Sequence, residues 1–105
     1  MPPDRTADGR WIVVRGRRWR GADPELPEEV RAALQHHLGK ARAAVRTARA
    51  ADDAAAVREA RRRVDLAKQG LGERGEPWWE QDAAARERRW TEALEALEGS
   101  ADRLP

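Results

Sequence analysis

Residues 27–72, PEEVRAALQHHLGKARAAVRTARAADDAAAVREARRRVDLAKQGLG, decide the fold. Val30, Leu34, Leu38, Ala41, Val45 and Ala48 follow at steps of four, four, three, four and three, which holds one apolar stripe in line for about five helical turns. Pro27 suits the first helical position, where its missing N–H would find no partner anyway, and Glu28 and Glu29 put negative charge at the positive end of the helix dipole. Arg46 and Arg49 complement the other end. Ala50-Ala51-Asp52-Asp53 is then the corner, since either aspartate can accept backbone N–H groups as an N-cap. Val57, Ala60, Val64, Ala67 and Leu71 repeat the spacing as a coiled-coil-like seam. Two such stripes joined by a short corner make an antiparallel helical hairpin, and alanine at alternate seam positions lets its backbones come close.

Outward from this hairpin, Gly70, Gly72 and Gly75 end the second helix and Pro77 stiffens the exit. Trp78 and Trp79 follow, read as an extended pair whose neighbouring side chains point opposite ways, so that one is buried and the other half-exposed. Asp82 can cap a third helix with Ala83, Trp90, Leu94 and Leu97 on one face. On the N-terminal side, Gly21 to Pro27 is a connection with two X-Pro pairs that resist helix. Before it, Trp11-Ile12-Val13-Val14 and Arg17-Arg18-Trp19-Arg20 flank Arg15-Gly16 as a short β-hairpin. A two-residue loop pairs Ile12 with Trp19 and puts Ile12, Val14 and Trp19 on one face, whereas a three-residue loop with a Gly16 bulge pairs Trp11 with Trp19; the shorter loop is preferred. A two-stranded hairpin is marginal alone, so one face is expected on the helices. The fold class is therefore mainly α: a long helical hairpin, a third helix and a short N-terminal β-hairpin. Residues 1–9 read as a disordered tail, 10–98 as one domain with its hairpin at 10–20, and 99–105 as a frayed end.

Composition limits what this domain can be. Half of the 42 apolar residues are Ala, leaving 8 Leu, 6 Val, 5 Trp and one Ile to build the core, so most of the tryptophans are needed for packing. Cysteine is absent, which removes disulfides, thiolate zinc sites and a cysteine nucleophile. Neither a membrane-length apolar run nor a signal-like N-terminus is present, and cytoplasm is the expected compartment. The net charge of +2 is unevenly spread, with five Arg and no acid in residues 10–20 and nine acids against five bases in residues 73–103. Internal complementarity is the preferred reading of that split, ahead of a polyanion-binding face.

Catalytic chemistry has little to work with. Gly70, Gly72 and Gly75 mimic the spaced glycines of a dinucleotide loop, but they follow a helix instead of linking a strand to a helix start. His36 and His37 diverge by about 100 degrees on a helix and have no acid or histidine one turn away. The chain holds three Thr and one Ser, with no sign of a positioned base. The expectation is a non-enzyme without metal, cofactor or small-molecule substrate.

Binding chemistry is better represented. Trp78, Trp79, Trp11 and Trp19 are candidate partner anchors, Trp and Arg being favoured at interface hot spots. Arg15, Arg17, Arg18 and Arg20 interleave with Trp as phosphate-binding and base-stacking surfaces do, and Arg42, Arg46 and Arg49 share an α-helical ridge with Arg31 beside the apolar stripe. A solvated charged face is the plainer reading of that ridge. The expected function is a non-catalytic protein-interaction module, self-association included; the alternative is a nucleic-acid-binding protein using the Arg-rich hairpin and the basic ridge.

The segments Trp11-Ile12-Val13-Val14-Arg15-Gly16-Arg17-Arg18-Trp19-Arg20 and Leu71-Gly72-Glu73-Arg74-Gly75-Glu76-Pro77-Trp78-Trp79-Glu80 together resemble a small uncharacterised bacterial protein family, some of whose members carry the label biopolymer transporter Tol. The resemblance spans most of residues 10–97 and implies no activity or site residue.

Overall fold

The computed structural model describes the backbone of residues 4–102 and the side chains of residues 5–99. Three strands open the chain, β1 (Asp4–Arg5), β2 (Trp11–Val14) and β3 (Arg17–Arg20), followed by α1 (Glu28–Ala50), α2 (Ala54–Leu71), a 3-10 turn (Trp78–Glu80) and α3 (Ala83–Asp102). The mainly helical architecture is the expected one, with α1 and α2 packed closely as an antiparallel hairpin.

Capping chemistry explains the helix limits. Asp53 accepts the Ala56 N–H at 3.0 Å to start α2, and Asp82 accepts the Ala85 N–H at 2.8 Å to start α3. Gly72, at φ 87°, closes α2, its N–H donating to the Gln69 carbonyl while the Glu73 N–H reaches back to Lys68. The same wrap ends α1 at Asp52, a non-glycine residue at φ 54°. Pro27 stands one position earlier than expected, as the residue before the helix.

The core lies where the three helices meet. Leu26, Leu34, Leu38, Ala67, Leu71, Ala93 and Leu97 are buried together, with Val30, Val64, Leu66, Trp90 and Leu94 packed around them. Gly70 is inside α2 at this meeting point. A Cβ there would lie 2.7 Å from the Ala93 Cβ and 2.8 Å from Leu34 Cδ2, so the missing side chain permits the approach of α3 and α1 to α2. Of the expected inward face of α3, Trp90, Leu94 and Leu97 meet the core and Ala83 is exposed, while Ala93 is buried as well.

The hairpin has the two-residue Arg15-Gly16 loop, with Ile12 opposite Trp19 and Val14 opposite Arg17. Both loop residues have positive φ, 52° and 77°, the geometry that matches strand twist. Asp4–Arg5 pairs antiparallel with Ile12–Val13 as a third strand, so these residues are ordered where a disordered tail was expected. A turn of local polar bonds brings them back: the Gly9 N–H donates to the Thr6 carbonyl at 2.8 Å, the Thr6 hydroxyl to Asp8 Oδ1 at 2.5 Å, and the Thr6 N–H to the Trp11 carbonyl at 2.9 Å. That hydroxyl holds the Asp8 carboxyl below its usual range. Residues 1–3 lie outside the described residues. At the other end α3 continues through Gly99 to Asp102, where fraying was expected from residue 99; residues 103–105 lie outside the described residues. Among the described residues, no helix is long and apolar enough to cross a membrane.

Candidate interaction site

The sheet is held to the helical body by stacking and by hydrogen bonds to loops, not by laying an apolar face on a helix. Trp11 meets Trp79 with ring centroids 5.7 Å apart, and Arg20 Nη1 donates to the Gly75 carbonyl at 2.6 Å. Arg5 Nη2 reaches the Ala22 carbonyl at 3.4 Å. Trp79 lies between cations, with the Arg10 guanidinium 4.9 Å and the Arg20 guanidinium 5.7 Å from its ring centroid. Arg18 covers Trp11 at 4.8 Å. Arg20 Nε is buried against this stack without a hydrogen-bond partner. Among the described residues no ion pair joins these arginines to Glu76 or Glu80.

Trp78 and Trp79 do not form an extended pair. They occupy the 3-10 turn with rings edge to face at 5.2 Å, Trp78 buried and Trp79 half-buried. The buried one is committed to structure: its indole N–H donates to the Gly21 carbonyl at 2.9 Å, and the Arg86 guanidinium lies 5.3 Å from its ring. Trp11 is half-buried beneath Arg18 and beside Trp79. Trp19 alone of the described tryptophans is exposed, at 45%, and with Val14 at 40% it makes the outer face of the hairpin. Alternation along the strands puts Ile12, Val14, Arg17 and Trp19 on this face, and the Arg17 guanidinium covers the Trp19 ring at 4.3 Å. Arg15, at the turn, is exposed as well.

Beneath the site sits a node that the residue pattern did not reveal. Asp23, read as part of a plain connection, is buried with its side chain fully shielded, and its carboxylate accepts Arg89 Nη2 at 2.8 Å and the Glu25 N–H at 2.8 Å. Arg86 Nη1 stands 3.5 Å away. Arg89 also donates to the Gly70 carbonyl at 3.3 Å and to Gln81 Oε1 at 2.6 Å, and Arg86 Nε donates to the Trp78 carbonyl at 2.8 Å. The Asp23 N–H donates to the Leu71 carbonyl at 2.8 Å. Connection, α2 end, 3-10 turn and α3 are thus tied at one buried charge, which fixes the base on which the sheet leans. A clue was present: counting back from Leu97 and Ala93 by helical steps reaches Trp90 and then Arg86, a cation in phase with the core.

The helical ridge is a separate feature. Arg42, Arg46 and Arg49 are exposed on α1, and Arg49, in its last turn, lies roughly 30 Å along the axis from Glu28. The sheet sits at the opposite end, where Asp23 joins Leu71, so the structure does not merge the hairpin arginines with the end of the ridge. Arg31 is bonded to Glu28 at 2.5 Å. Near Arg42, burial raises the Glu73 carboxyl above its ordinary value despite the nearby Lys68, Arg42, Arg74 and Arg5 charges, and burial, with Arg74, lowers the Lys68 amine.

His37 Nε2 lies 3.6 Å from Glu98 Oε2 on α3, and His36 faces solvent. Among the described residues no group of three or more His, Asp or Glu side chains converges as metal ligands do. A surface hollow of about 490 Å³ runs along α3 between Glu87, Arg88, Glu92 and Glu95, away from the hairpin's outer face. Comparison with protein-family models, with curated proteins and with solved structures returned no match.

Proposed function

We propose that the protein is a non-catalytic protein-interaction module that docks through the outer face of its N-terminal hairpin, self-association being one form of that docking. The exposed Trp19, set beside Val14 and Arg17 on a strand pair, is the observation that carries the reading. Large indoles outside a core cost solubility, and in interfaces they supply much of the binding energy together with arginine. This moves the anchor from Trp78 and Trp79, which serve the fold, to Trp19. The test pairs chemical cross-linking in the native host with sedimentation of the purified protein. Trp19→Ala should remain folded yet lose cross-linked species or self-association; unchanged assembly would sink the reading.

A second reading rests on a different observation. Arg10, Arg15, Arg17 and Arg18 are exposed within a stretch free of acids, as a phosphate-binding surface requires. In this reading the chain binds DNA or RNA at low salt, with affinity falling as counterions compete, and the Arg15, Arg17, Arg18 triple-alanine variant loses that binding. Absence of binding at low salt removes it.

A further inference from the structure

We infer that the open edge of β3 accepts an extended acidic segment of a partner protein as a fourth strand; this rests on the interaction reading and names its partner's chemistry. In the sheet order β1-β2-β3, β3 has a neighbour on one side only among the described residues. The two-residue turn makes Val14 with Arg17 and Ile12 with Trp19 the hydrogen-bonded pairs, a rhythm continued by the Gly21 N–H on the Arg10 carbonyl at 2.8 Å. Main-chain N–H and C=O groups of Arg18 and Arg20 therefore point away from β2. An added strand takes up such groups, and alternate side-chain positions then give selectivity.

Charge chooses among occupants. The edge reads Arg17-Arg18-Trp19-Arg20, and no acid lies anywhere in residues 10–20. A second copy pairing through the same edge would set arginine against arginine, which destabilises cross-strand pairs and protects the edge from self-pairing. Nucleic acid satisfies the guanidinium groups but brings no main-chain strand to the edge, and Arg17 already covers one face of the Trp19 ring at 4.3 Å. A polypeptide alternating acidic and apolar residues answers both faces: an acid opposite the exposed Arg18 and an apolar side chain opposite Trp19, flanked by Val14 and Ile12.

The probe is a fluorescein-labelled peptide of alternating Glu and Val, titrated into the full chain by anisotropy, with amide exchange of the isotope-labelled protein followed in parallel. Binding should weaken about tenfold when one edge of the peptide is N-methylated, as loss of a pair of main-chain hydrogen bonds predicts. The Arg18 amide should exchange more slowly in the complex, and Arg18→Glu should switch preference to a Lys–Val peptide. Equal binding by the N-methylated peptide, an unchanged Arg18 amide, or binding of oligothymidylate but not the peptide would each overturn the proposal. If the peptide fails while Trp19→Ala still abolishes cross-linked assembly, the strand-addition proposal falls and the interaction reading stands; if Trp19→Ala alters neither, both fall.

Discussion

Replacing Asp23 by alanine should cost about 3 kcal/mol, and the size follows from what the carboxylate leaves behind. Its side chain is fully shielded, and its partners Arg89 and Arg86 are only 10% and 17% exposed. Removing one partner of a buried ion pair costs roughly 3–5 kcal/mol, because the surviving charge stays desolvated and unpaired. Arg89 keeps its bonds to the Gly70 carbonyl and Gln81 Oε1, which places the loss near the lower limit. The orphaned Glu25 N–H belongs to an exposed residue that water can reach. Against a total stability on the order of 5–15 kcal/mol for a domain of this size, such a loss is severe. Asp23→Asn keeps the volume and an acceptor oxygen and should fall between wild type and alanine. Urea denaturation followed by helical ellipticity and tryptophan emission gives the free energies, and the cycle with Arg89→Ala isolates the pair. A coupling energy of about 2 kcal/mol is expected, since the two groups share one network. An Asp23→Ala cost below about 1 kcal/mol, or strict additivity in the double variant, would refute the argument that this charge holds the loops together.

Three further outcomes follow from the packing and the electrostatics. Trp78→Ala should cost about 3–5 kcal/mol in the same denaturation assay, whereas Trp19→Ala should stay within about 0.5 kcal/mol of wild type. Arg15→Asn should stabilise the hairpin by up to about 1 kcal/mol, because Arg15 occupies a left-handed position that asparagine tolerates better, and slower amide exchange across Trp11–Arg20 would register it. Glu73→Gln should raise the melting temperature near pH 7 and leave it unchanged in acid. Burial raises the folded carboxyl above its ordinary value of 4.5, so the folded state binds its proton more tightly than the unfolded state and stability declines as pH rises through that value. A wild-type melting temperature insensitive to pH across that interval, or a Gln variant with the same slope as wild type, would contradict the assignment.

Periodicity made the helices legible, because each apolar stripe is a local property of its own segment. Caps at Asp53 and Asp82 and the Arg15-Gly16 register were legible for the same reason: a few neighbouring residues settle them. The β1 strand was not, since Asp4 and Arg5 have no strand preference and are held in place by the Thr6–Asp8 turn and an available edge of β2. The orientation of the hairpin also escaped, because Trp11 and Trp19 carry equal apolar weight and only the distant Gly75–Glu80 loop distinguishes them. Asp23 was hidden most deeply. Gly-Ala-Asp-Pro has every mark of a solvated turn, and the partner that buries it is 66 residues away. Among the proposed anchors, nothing local separates Trp19 from Trp78, because the Gly21 carbonyl that takes the Trp78 indole N–H is 57 residues away.

The long reach between Asp23 and Arg89 also bears on time. The corner Ala51–Asp53 brings α1 and α2 together through a very short loop, a contact that chains find quickly, whereas closing a 66-residue separation comes at a larger entropic cost. The Asp23 link is therefore expected to form after the helical hairpin, and Asp23→Ala should leave the folding rate nearly unchanged. Interactions of that kind govern the reverse step. Removing the Asp23 carboxylate should therefore speed unfolding more than it slows folding, shortening the native lifetime of the domain and the persistence of the hairpin's seat on the helices.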